Sequence, residues 1–384
     1  MVEMGVLGAL RGVRVGACVV IGLILLLATP ASARITAAGT VTLFAVPKPP
    51  PPVSFVSTQY IAAGPDGNLW FTEGAAFEPN VGGVIGRITP HGRVTEFQVG
   101  YPFEIDGITA GADGNLWYSE HQSGIARISL KGAHTEFEVG GIPWGITAGP
   151  DGNIWFAAGL RQVGRITPTG AVTEFSTGIS SLPFGITAGP DGNLWFTEPG
   201  GDRIGRITPT GTVTEFPTGL TGGTFQITTG PDGNLWFTEY SGSGIGRMTP
   251  AGTVTEFSTG ITGSPLGIAA GPDGNVWFTE NGTHAIGRIT PSGSVTEFAE
   301  GINADQITAG PDGNLWFTTG GEQIGRISVG DVTRSVRASG DAAVGGHTTA
   351  NPASTGPRRR RAGPRFMARS SPADYKARAG AAMA

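Results

Sequence analysis

One segment, Gly-Pro-Asp-Gly-Asn-Leu-Trp-Phe-Thr-Glu, recurs with little change along the chain and constrains the fold more than any other feature. Its copies are marked by seven tryptophans, 38 to 47 residues apart: Trp70, Trp117, Trp155, Trp195, Trp236, Trp277 and Trp316. A period near forty is typical of β-propellers, in which each repeat forms a four-stranded blade. We therefore predict an all-β fold with seven blades, although 384 residues would ordinarily suggest two or three domains.

Each repeat contains four short strand-like segments separated by turn residues. In the fourth repeat these segments are residues 185–188, 194–198, 204–208 and 213–216. Pro190-Asp191-Gly192 joins the first two, and this composition favours a tight hairpin. Leu194, Trp195 and Phe196 are consecutive apolar residues, so both faces of this strand are apolar. This predicts a strand buried on both faces by neighbouring blades.

A segment near the N-terminus supplies an outer strand that the last repeat lacks. Six repeats end in a Val-Thr-Glu-Phe-like segment, but none follows the seventh tryptophan. Val41-Thr42-Leu43-Phe44 has the missing pattern. We predict that this strand completes the last blade and closes the ring, so that the propeller occupies residues 34–330.

The first 33 residues have the composition of a signal peptide. Arg11 and Arg14 precede an apolar run over residues 17–28, and Ala31-Ser32-Ala33 matches a small-residue cleavage site. The alternative is an uncleaved anchor, but the run is shorter than the ~20 residues that a spanning helix needs. We predict cleavage after Ala33, a secreted or extracytoplasmic protein, and no transmembrane span after cleavage. The only cysteine, Cys18, lies in this segment, which excludes thiol catalysis in the mature protein.

Residues 331–384 lose the repeat and are rich in Ala, Gly, Pro and Arg, with a net charge of +7 that includes Arg358–Arg361. This composition predicts a disordered basic tail. Contact of the tail with anionic polymers or lipid headgroups is the alternative to a solvated tail. The chain as a whole is acidic, with a net charge of −5, so we expect no specific nucleic-acid partner.

A function of the ring should appear where the repeats differ from one another. Differences that bear on the channel occur eleven residues before each tryptophan, where the inner strand enters it: Gln59, Asp106, Trp144, Phe184, Phe225, Leu266 and Asp305. We call these the mouth residues. Three are polar on consecutive blades and four are apolar on consecutive blades, so the sequence predicts a two-faced channel mouth.

Such a surface suits a small amphipathic or cyclic peptide-like ligand, because apolar contact supplies affinity and a few polar groups fix orientation. Predicted ligand-binding residues are Gln59, Tyr60, Trp144, Phe184, Phe225 and Leu266. The alternative is that the aromatic side chains only cover the packing between blades.

Three carboxylates of the second repeat form a candidate metal site. Glu104 and Asp106 precede its inner strand and Glu120 ends its second strand, so all three are expected at one rim. Carboxylate oxygens are the ligands of hard cations, so this set predicts a site for Mg²⁺ or Ca²⁺ as a cofactor. Among the histidines, His121 and His284 follow second strands on the same rim and are weaker candidates.

Two further residue types recur in the repeats and are interpreted as structural. An arginine stands in the third strand and a glutamate in the fourth, as Arg206 and Glu215 illustrate. We predict that these residues form ion pairs between strands or blades.

The repeat, with Ile-Gly-Arg-Ile-Thr-Pro-Thr-Gly and Val-Thr-Glu-Phe after the tryptophan segment, closely resembles the virginiamycin B lyase (streptogramin lyase) family over about residues 36–330. The resemblance implies a seven-bladed propeller. It also implies an activity, the opening of the lactone of cyclic depsipeptide antibiotics by Mg²⁺-assisted elimination with a histidine base.

The chain departs from that family at the positions where the resemblance places catalytic groups. Those positions hold Gln59, Leu266, Asn303, Asp305 and Thr319 instead of the family's tyrosine, histidines and glutamates. A general base requires a titratable group within reach of the proton. The candidate catalytic residues that remain are Asp106 and Asp305, with Glu104, Asp106 and Glu120 as a displaced carboxylate site.

Three hypotheses follow from the sequence. The leading one is an exported, monomeric propeller that binds a small-molecule or cyclic peptide ligand at its mouth. An Mg²⁺-dependent lyase that opens a depsipeptide lactone is the alternative, and a protein-interaction platform is the third.

Overall fold

Strands account for all regular structure in the part of the chain that the computed structural model describes, which comprises residues 38–47, 56–75, 83–99, 105–121, 124–298 and 301–330. The strands are β1 (Val41–Ala45), β2 (Val56–Ala63), β3 (Leu69–Ala75), β4 (Gly83–Ile88), β5 (Val94–Val99), β6 (Ile105–Ala110), β7 (Leu116–Glu120), β8 (Gly124–Ile128), β9 (His134–Phe137), β10 (Pro143–Ala148), β11 (Ile154–Ala158), β12 (Gln162–Ile166), β13 (Val172–Phe175), β14 (Ile186–Ala188), β15 (Leu194–Glu198), β16 (Arg203–Ile207), β17 (Val213–Pro217), β18 (Thr224–Thr229), β19 (Leu235–Glu239), β20 (Gly244–Met248), β21 (Val254–Phe257), β22 (Pro265–Ala270), β23 (Val276–Glu280), β24 (Ala285–Ile289), β25 (Val295–Phe298), β26 (Ile307–Ala309), β27 (Leu315–Thr318) and β28 (Gln323–Ile327). Within these ranges no helix is long and apolar enough to cross a membrane.

The strands form seven four-stranded antiparallel sheets, which confirms the predicted all-β, seven-bladed propeller. Blades one to six each consist of four consecutive strands, from β2–β5 to β22–β25. Successive inner strands contact one another around the channel, and β26 of blade seven contacts β2 of blade one. The ring is therefore closed.

Blade seven is completed by the N-terminal strand, as predicted. Its strand order is β1-β28-β27-β26, and β1 pairs antiparallel with β28 from Val41 opposite Ile327 to Ala45 opposite Gln323. Phe44 stacks on Trp316 with 5.3 Å between ring centroids. The outer-strand phenylalanines of the other blades stack on their own tryptophans in the same way.

The core lies between blades, because each blade is apolar on both faces. Trp155 of blade three packs in one cluster with Leu194, Phe196 and Ile207 of blade four. All seven repeat tryptophans are fully buried. A buried aromatic side chain removes about 150–250 Å² from water, which contributes about 4–6 kcal/mol each before entropy is subtracted. This inter-blade burial fixes the ring without disulfides.

The repeated arginine stabilises each blade through the aromatic pair rather than through the repeated glutamate. Arg206 lies over Trp195 and Phe216 at 5.6 and 5.5 Å from the ring centroids, and its guanidinium is 3.9 Å from the Asp191 carboxylate. Glu215 lies on the opposite face of the sheet, since it pairs with Gly205, the neighbour of Arg206. The predicted ion pairs therefore form, but not between these two residue types. The arginine pairs with the turn aspartate, and Glu215 pairs with Arg203 of the third strand at 3.4 Å.

The antiparallel order defines the two ends of the ring. Inner strands begin, second strands end, third strands begin and fourth strands end at the same side, which we call the mouth face. The Pro-Asp-Gly turns lie on the opposite side. Two compact units are distinguished, Met1–Ile35 and Thr36–Ala384, and all described residues belong to the second. The predicted signal peptide and basic tail lie outside the described residues and stay predictions.

Candidate functional site

The mouth residues lie at irregularities of the inner strands. In five blades the register between the first and second strands shifts at this point, for example between Thr224 and Ile227 and between Pro265 and Ile268. A bulge bends a strand and redirects its side chains. It therefore explains how side chains that differ in size and polarity are accommodated at this position.

Buried hydroxyls hold the mouth residues of successive blades together. In blade five the Thr238 hydroxyl accepts from the Gln226 backbone N–H at 3.0 Å and donates to the carbonyl of Leu266 in blade six at 3.1 Å. Corresponding donors to the next mouth residue are Thr72, Ser119, Thr197, Thr279 and Thr318. Blade three has Ala157 there, and the carbonyl of Phe184 accepts from the Gly145 backbone instead. The seven positions thus form one hydrogen-bonded ring.

The structure brings the four apolar mouth residues into one cluster. Trp144 and Phe184 lie 5.6 Å apart between ring centroids, and Phe184 stacks on Phe225 at 4.4 Å. Leu266 completes the cluster, and all four side chains are only 6–7% exposed. The four therefore form the base of the apolar half of the mouth, and most of the surface above them belongs to other residues.

Those other residues are Ile142, Leu182 and Tyr240, which pack against the cluster and stay partly exposed. Tyr240 lies 5.7 Å from Phe225 between ring centroids. Burial raises the pKa of its phenol, so the hydroxyl stays protonated at neutral pH. Sequence reasoning missed all three, although Ile142 and Leu182 each stand two residues before a mouth residue.

The polar half contains an aspartate and histidine pair in blade two. The Asp106 Oδ2 lies 3.1 Å from the His121 Nδ1, and Asp106 is only 3% exposed. Asp106 neighbours the apolar half, because the Ser119 hydroxyl of the same blade donates to the Trp144 carbonyl. A carboxylate in this position fixes the orientation of an imidazole. Blade two thus presents an oriented histidine beside the apolar cluster.

The other predicted polar residues occupy neighbouring blades. The Asp305 carboxylate lies where a side chain at Gly320 would be, against the hairpin of blade seven, and the Gln59 amide lies against Gly74. Tyr60 packs on the cluster between blades one and two. The structure therefore places Asp305 and Gln59 on the mouth face and directs Tyr60 into the blade interface.

Two of the three blade-seven positions where the resemblance implies catalytic groups, Asn303 and Thr319, form neutral hydrogen bonds. The Asn303 amide donates to the carbonyl of Thr319 at 3.0 Å, and the Thr319 hydroxyl donates to the carbonyl of Gln323 at 2.9 Å. Neither side chain titrates near neutral pH. The two side chains therefore hold the backbone of the rim in place and cannot act as an acid or a base at neutral pH.

The predicted metal site is only partly within the described residues. Glu104 lies outside them, while Asp106 and Glu120 stand on adjacent strands of blade two, where Ile105 pairs with Glu120. Asp106 is already engaged by His121. No group of three or more His, Cys, Asp or Glu side chains suited to a metal ion occurs in the described part of the chain. The described donor set therefore does not complete an Mg²⁺ site.

Blade two also departs from the repeat at one position in β7 and one in β8. Tyr118 replaces the usual phenylalanine and Ala126 the usual glycine, whose absent side chain elsewhere accommodates the phenyl ring. The Tyr118 hydroxyl is buried and has no hydrogen-bond partner among the described residues. Burial, followed by the charges of Glu120 and Glu136, raises the pKa of this phenol. Both substitutions appear in the sequence as departures of the second repeat from the others.

The glutamates that end second strands form buried carboxyl pairs on the same face. Glu198 is fully buried and lies close to Glu215 of the same blade, since the Ser180 hydroxyl is within hydrogen-bond distance of both carboxylates, at 3.5 and 2.9 Å. Burial, followed by repulsion from Glu215, raises the pKa of Glu198 to about 7. Glu73 behaves likewise, with a pKa of about 8 caused by burial and then by Glu96. A carboxyl group whose pKa is raised in this way holds its proton at a pH where an exposed glutamate is ionised.

Comparison with known proteins gives one consistent result. The model of the Virginiamycin B lyase family matches residues 27–179, 102–226 and 180–352. A streptogramin B lyase structure is 32% identical, with a TM-score of 0.68, and the match covers 77% of this chain and 100% of that one. No protein with a curated description matches the chain significantly.

Two structures of virginiamycin B lyase from Staphylococcus aureus are also 32% identical, and each match covers 75% of this chain and 99% of the lyase. The TM-score is 0.68 for the selenomethionine-substituted protein and 0.67 for a catalytically inactive histidine-to-alanine variant with quinupristin.

Proposed function

The chain belongs to the virginiamycin B lyase family, and from this premise we propose that the mouth of its propeller binds a small amphipathic or cyclic peptide-like ligand. The observation that carries the proposal is the juxtaposition of two unlike surfaces on one rim. The apolar cluster of Trp144, Phe184, Phe225 and Leu266 lies directly beside the Asp106 and His121 pair.

Apolar contact in this proposal comes from the partly exposed Ile142, Leu182 and Tyr240, which the buried cluster holds in place. Side chains fixed by packing lose little freedom on binding, so their contacts translate into affinity. Orientation comes from the polar half, where a buried carboxylate and an imidazole can bond donors and acceptors of a peptide backbone. A ligand with one apolar and one polar edge matches both halves.

Isothermal titration with quinupristin, the compound bound to the relative from S. aureus, tests this proposal. We expect the full-length protein to bind it, and Tyr240→Ala to weaken binding roughly tenfold because an aromatic contact is lost. His91→Ala is the control, since His91 is exposed in a turn on the opposite side of the ring. Equal affinity of the wild type and Tyr240→Ala would count against the mouth as the site.

A second candidate is the elimination reaction that the family name suggests, and the Asp106 and His121 pair favours it. If His121 donates its Nδ1 proton to Asp106, its Nε2 is the unprotonated, basic nitrogen of the ring. His121 would take the proton from the carbon next to the ester-bearing carbon of a lactone. The bond between the ester-bearing carbon and its oxygen would then break. The linear product would carry a carbon–carbon double bond and a free carboxylate.

Mass spectrometry distinguishes this reaction from hydrolysis, because elimination yields a linear isomer whereas hydrolysis adds the mass of one water. We expect His121→Ala to abolish linearisation of quinupristin and His91→Ala to leave it unchanged. The assay is run with and without Mg²⁺, which the resemblance to the family implies as a cofactor. Binding of quinupristin with no linear product under either condition would leave ligand binding as the function.

The proposal includes export and a monomeric state. Residues 1–33 have the composition of a cleavable leader. N-terminal sequencing of protein recovered from culture medium should begin at Arg34, and light scattering should give the mass of one chain. Protein that retains Met1 in the cell pellet would contradict export.

A further inference from the structure

One residue at the rim of blade three is unfavourably placed in the free protein. Leu160 stands at the tip of the hairpin between β11 and β12 and is 69% exposed. Leu43, on the outer edge of blade seven, is the other exposed large hydrophobic side chain in the described ranges and is 43% exposed. Leu160 lies on the mouth face, where second strands end.

The backbone at this tip is strained. Leu160 and the adjacent Arg161 have φ values of 65° and 56°, in the left-handed region that L-residues with a side chain disfavour. Arg161 directly precedes its third strand, as Asp202, Ser243 and His284 do in blades four to six, and these residues take the same conformation. Among the described non-glycine residues, Leu160 is the one apolar residue with a positive φ. An exposed apolar side chain on a strained backbone is unfavourable twice over, which points to a role outside folding.

The hairpin tip adjoins the apolar half of the mouth. The Gly159 backbone N–H donates to the carbonyl of Ile142 at 2.8 Å, and Pro143 pairs with Ala158. Ile142 packs against the cluster that contains Trp144. Leu160 therefore continues the apolar surface outward from the channel, next to a side chain that already covers the cluster.

We propose that Leu160 is a specificity-determining residue that contacts a bulky apolar substituent of the mouth ligand. A ligand that reaches both the cluster and Leu160 must be larger than a single amino acid. A macrocyclic peptide with an aromatic or branched side chain directed toward blade three fits this requirement. This inference rests on the proposed binding function.

The test is Leu160→Asn in the full-length chain, since asparagine tolerates the left-handed conformation and removes the apolar contact. Quinupristin is the probe, measured by isothermal titration. We expect affinity to fall roughly tenfold to a hundredfold, as for the loss of one buried leucine contact. The Tm of the free protein should rise by about 2 °C because strain is relieved. Leu43→Asn is the matched control and should leave affinity unchanged.

The outcomes separate this inference from the function on which it rests. Binding by the wild type with equal affinity for Leu160→Asn would overturn the role of Leu160 and leave the binding function intact. A lower Tm for Leu160→Asn than for the wild type would overturn the strain argument. A loss of affinity in Leu43→Asn as large as that in Leu160→Asn would overturn the role of Leu160 in specificity. A wild type that fails to bind quinupristin would refute the proposed function first.

Discussion

Glu73 offers a direct test of how the buried carboxyl pairs shape the stability of the propeller. Its side chain is 2% exposed, and its Oε1 has no hydrogen-bond partner among the residues described. Burial, and then the charge of Glu96, raises its pKa from an ordinary 4.5 to about 8. Glu73→Gln keeps the shape of the protonated side chain and removes its ability to ionise.

The raised pKa fixes the sign of the effect. Between pH 4.5 and about 8 the folded protein holds a proton on Glu73 that the unfolded chain has already lost. The stability that protonated Glu73 contributes is therefore fully present below pH 4.5, the pKa of the unfolded chain. It is lost as the pH rises through the folded-state pKa of about 8. At about 1.4 kcal/mol for each pH unit, the loss is on the order of 5 kcal/mol. Glu198 and Glu239, each with a pKa of about 7, contribute in the same direction.

Urea denaturation followed by tryptophan fluorescence, from about pH 5 to about pH 9, measures the effect. We expect Glu73→Gln to lose several kcal/mol less of its unfolding free energy over this range than the wild type. Glu138→Gln makes the same chemical change at an exposed position and should follow the wild type. Parallel profiles for Glu73→Gln and the wild type would refute the reasoning, because they would mean that Glu73 is ionised in the folded protein at little cost.

Two further predictions concern the ring itself. Thr238→Val removes the hydroxyl that joins Gln226 to Leu266 and should lower the unfolding free energy by about 1–3 kcal/mol in urea titrations. Thr214→Val, exposed on an outer strand, should change it by less than about 0.5 kcal/mol. Phe44→Ala removes the ring that stacks on the last tryptophan. Because Phe44 is only partly buried, the substitution should cost about 2 kcal/mol by the same measurement, below the ~3–5 kcal/mol of a fully buried phenylalanine. An unchanged midpoint for Phe44→Ala would mean that the closing strand contributes little to stability.

The fold could be predicted because the same local interactions are repeated in every blade. Asp191 accepts from the Trp195 indole at 3.0 Å, and the six other blades repeat this bond. A segment that specifies its own turn and strand appears in the sequence as a period. The closing strand was predictable for the same reason, since residues 41–44 carry the outer-strand pattern at the wrong end of the chain.

The site was less accessible to sequence reasoning, because it depends on which side chains meet across strands. Asp106 and His121 were both candidates, but their contact requires the register of β6 against β7 and the conformation of the hairpin that follows. The mouth column predicted the composition of the apolar half. It did not predict that Trp144 and its neighbours would be covered by residues from the loops before inner strands and from the hairpin after β19, since loop conformation carries no period.

The two described ends of the propeller lie side by side. The Gly39 backbone N–H donates to the carbonyl of Ser328, and the Ser328 N–H donates to the carbonyl of Thr40, on the side of blade seven away from the mouth. A label, a surface tether or a fused protein attached after Gly330 would consequently start from the rear of the ring and leave the binding rim unobstructed. A short peptide joining residue 330 to residue 38 would turn the chain into a covalent circle, which could then be cut open at a rear turn of another blade to give permuted proteins with the same rim.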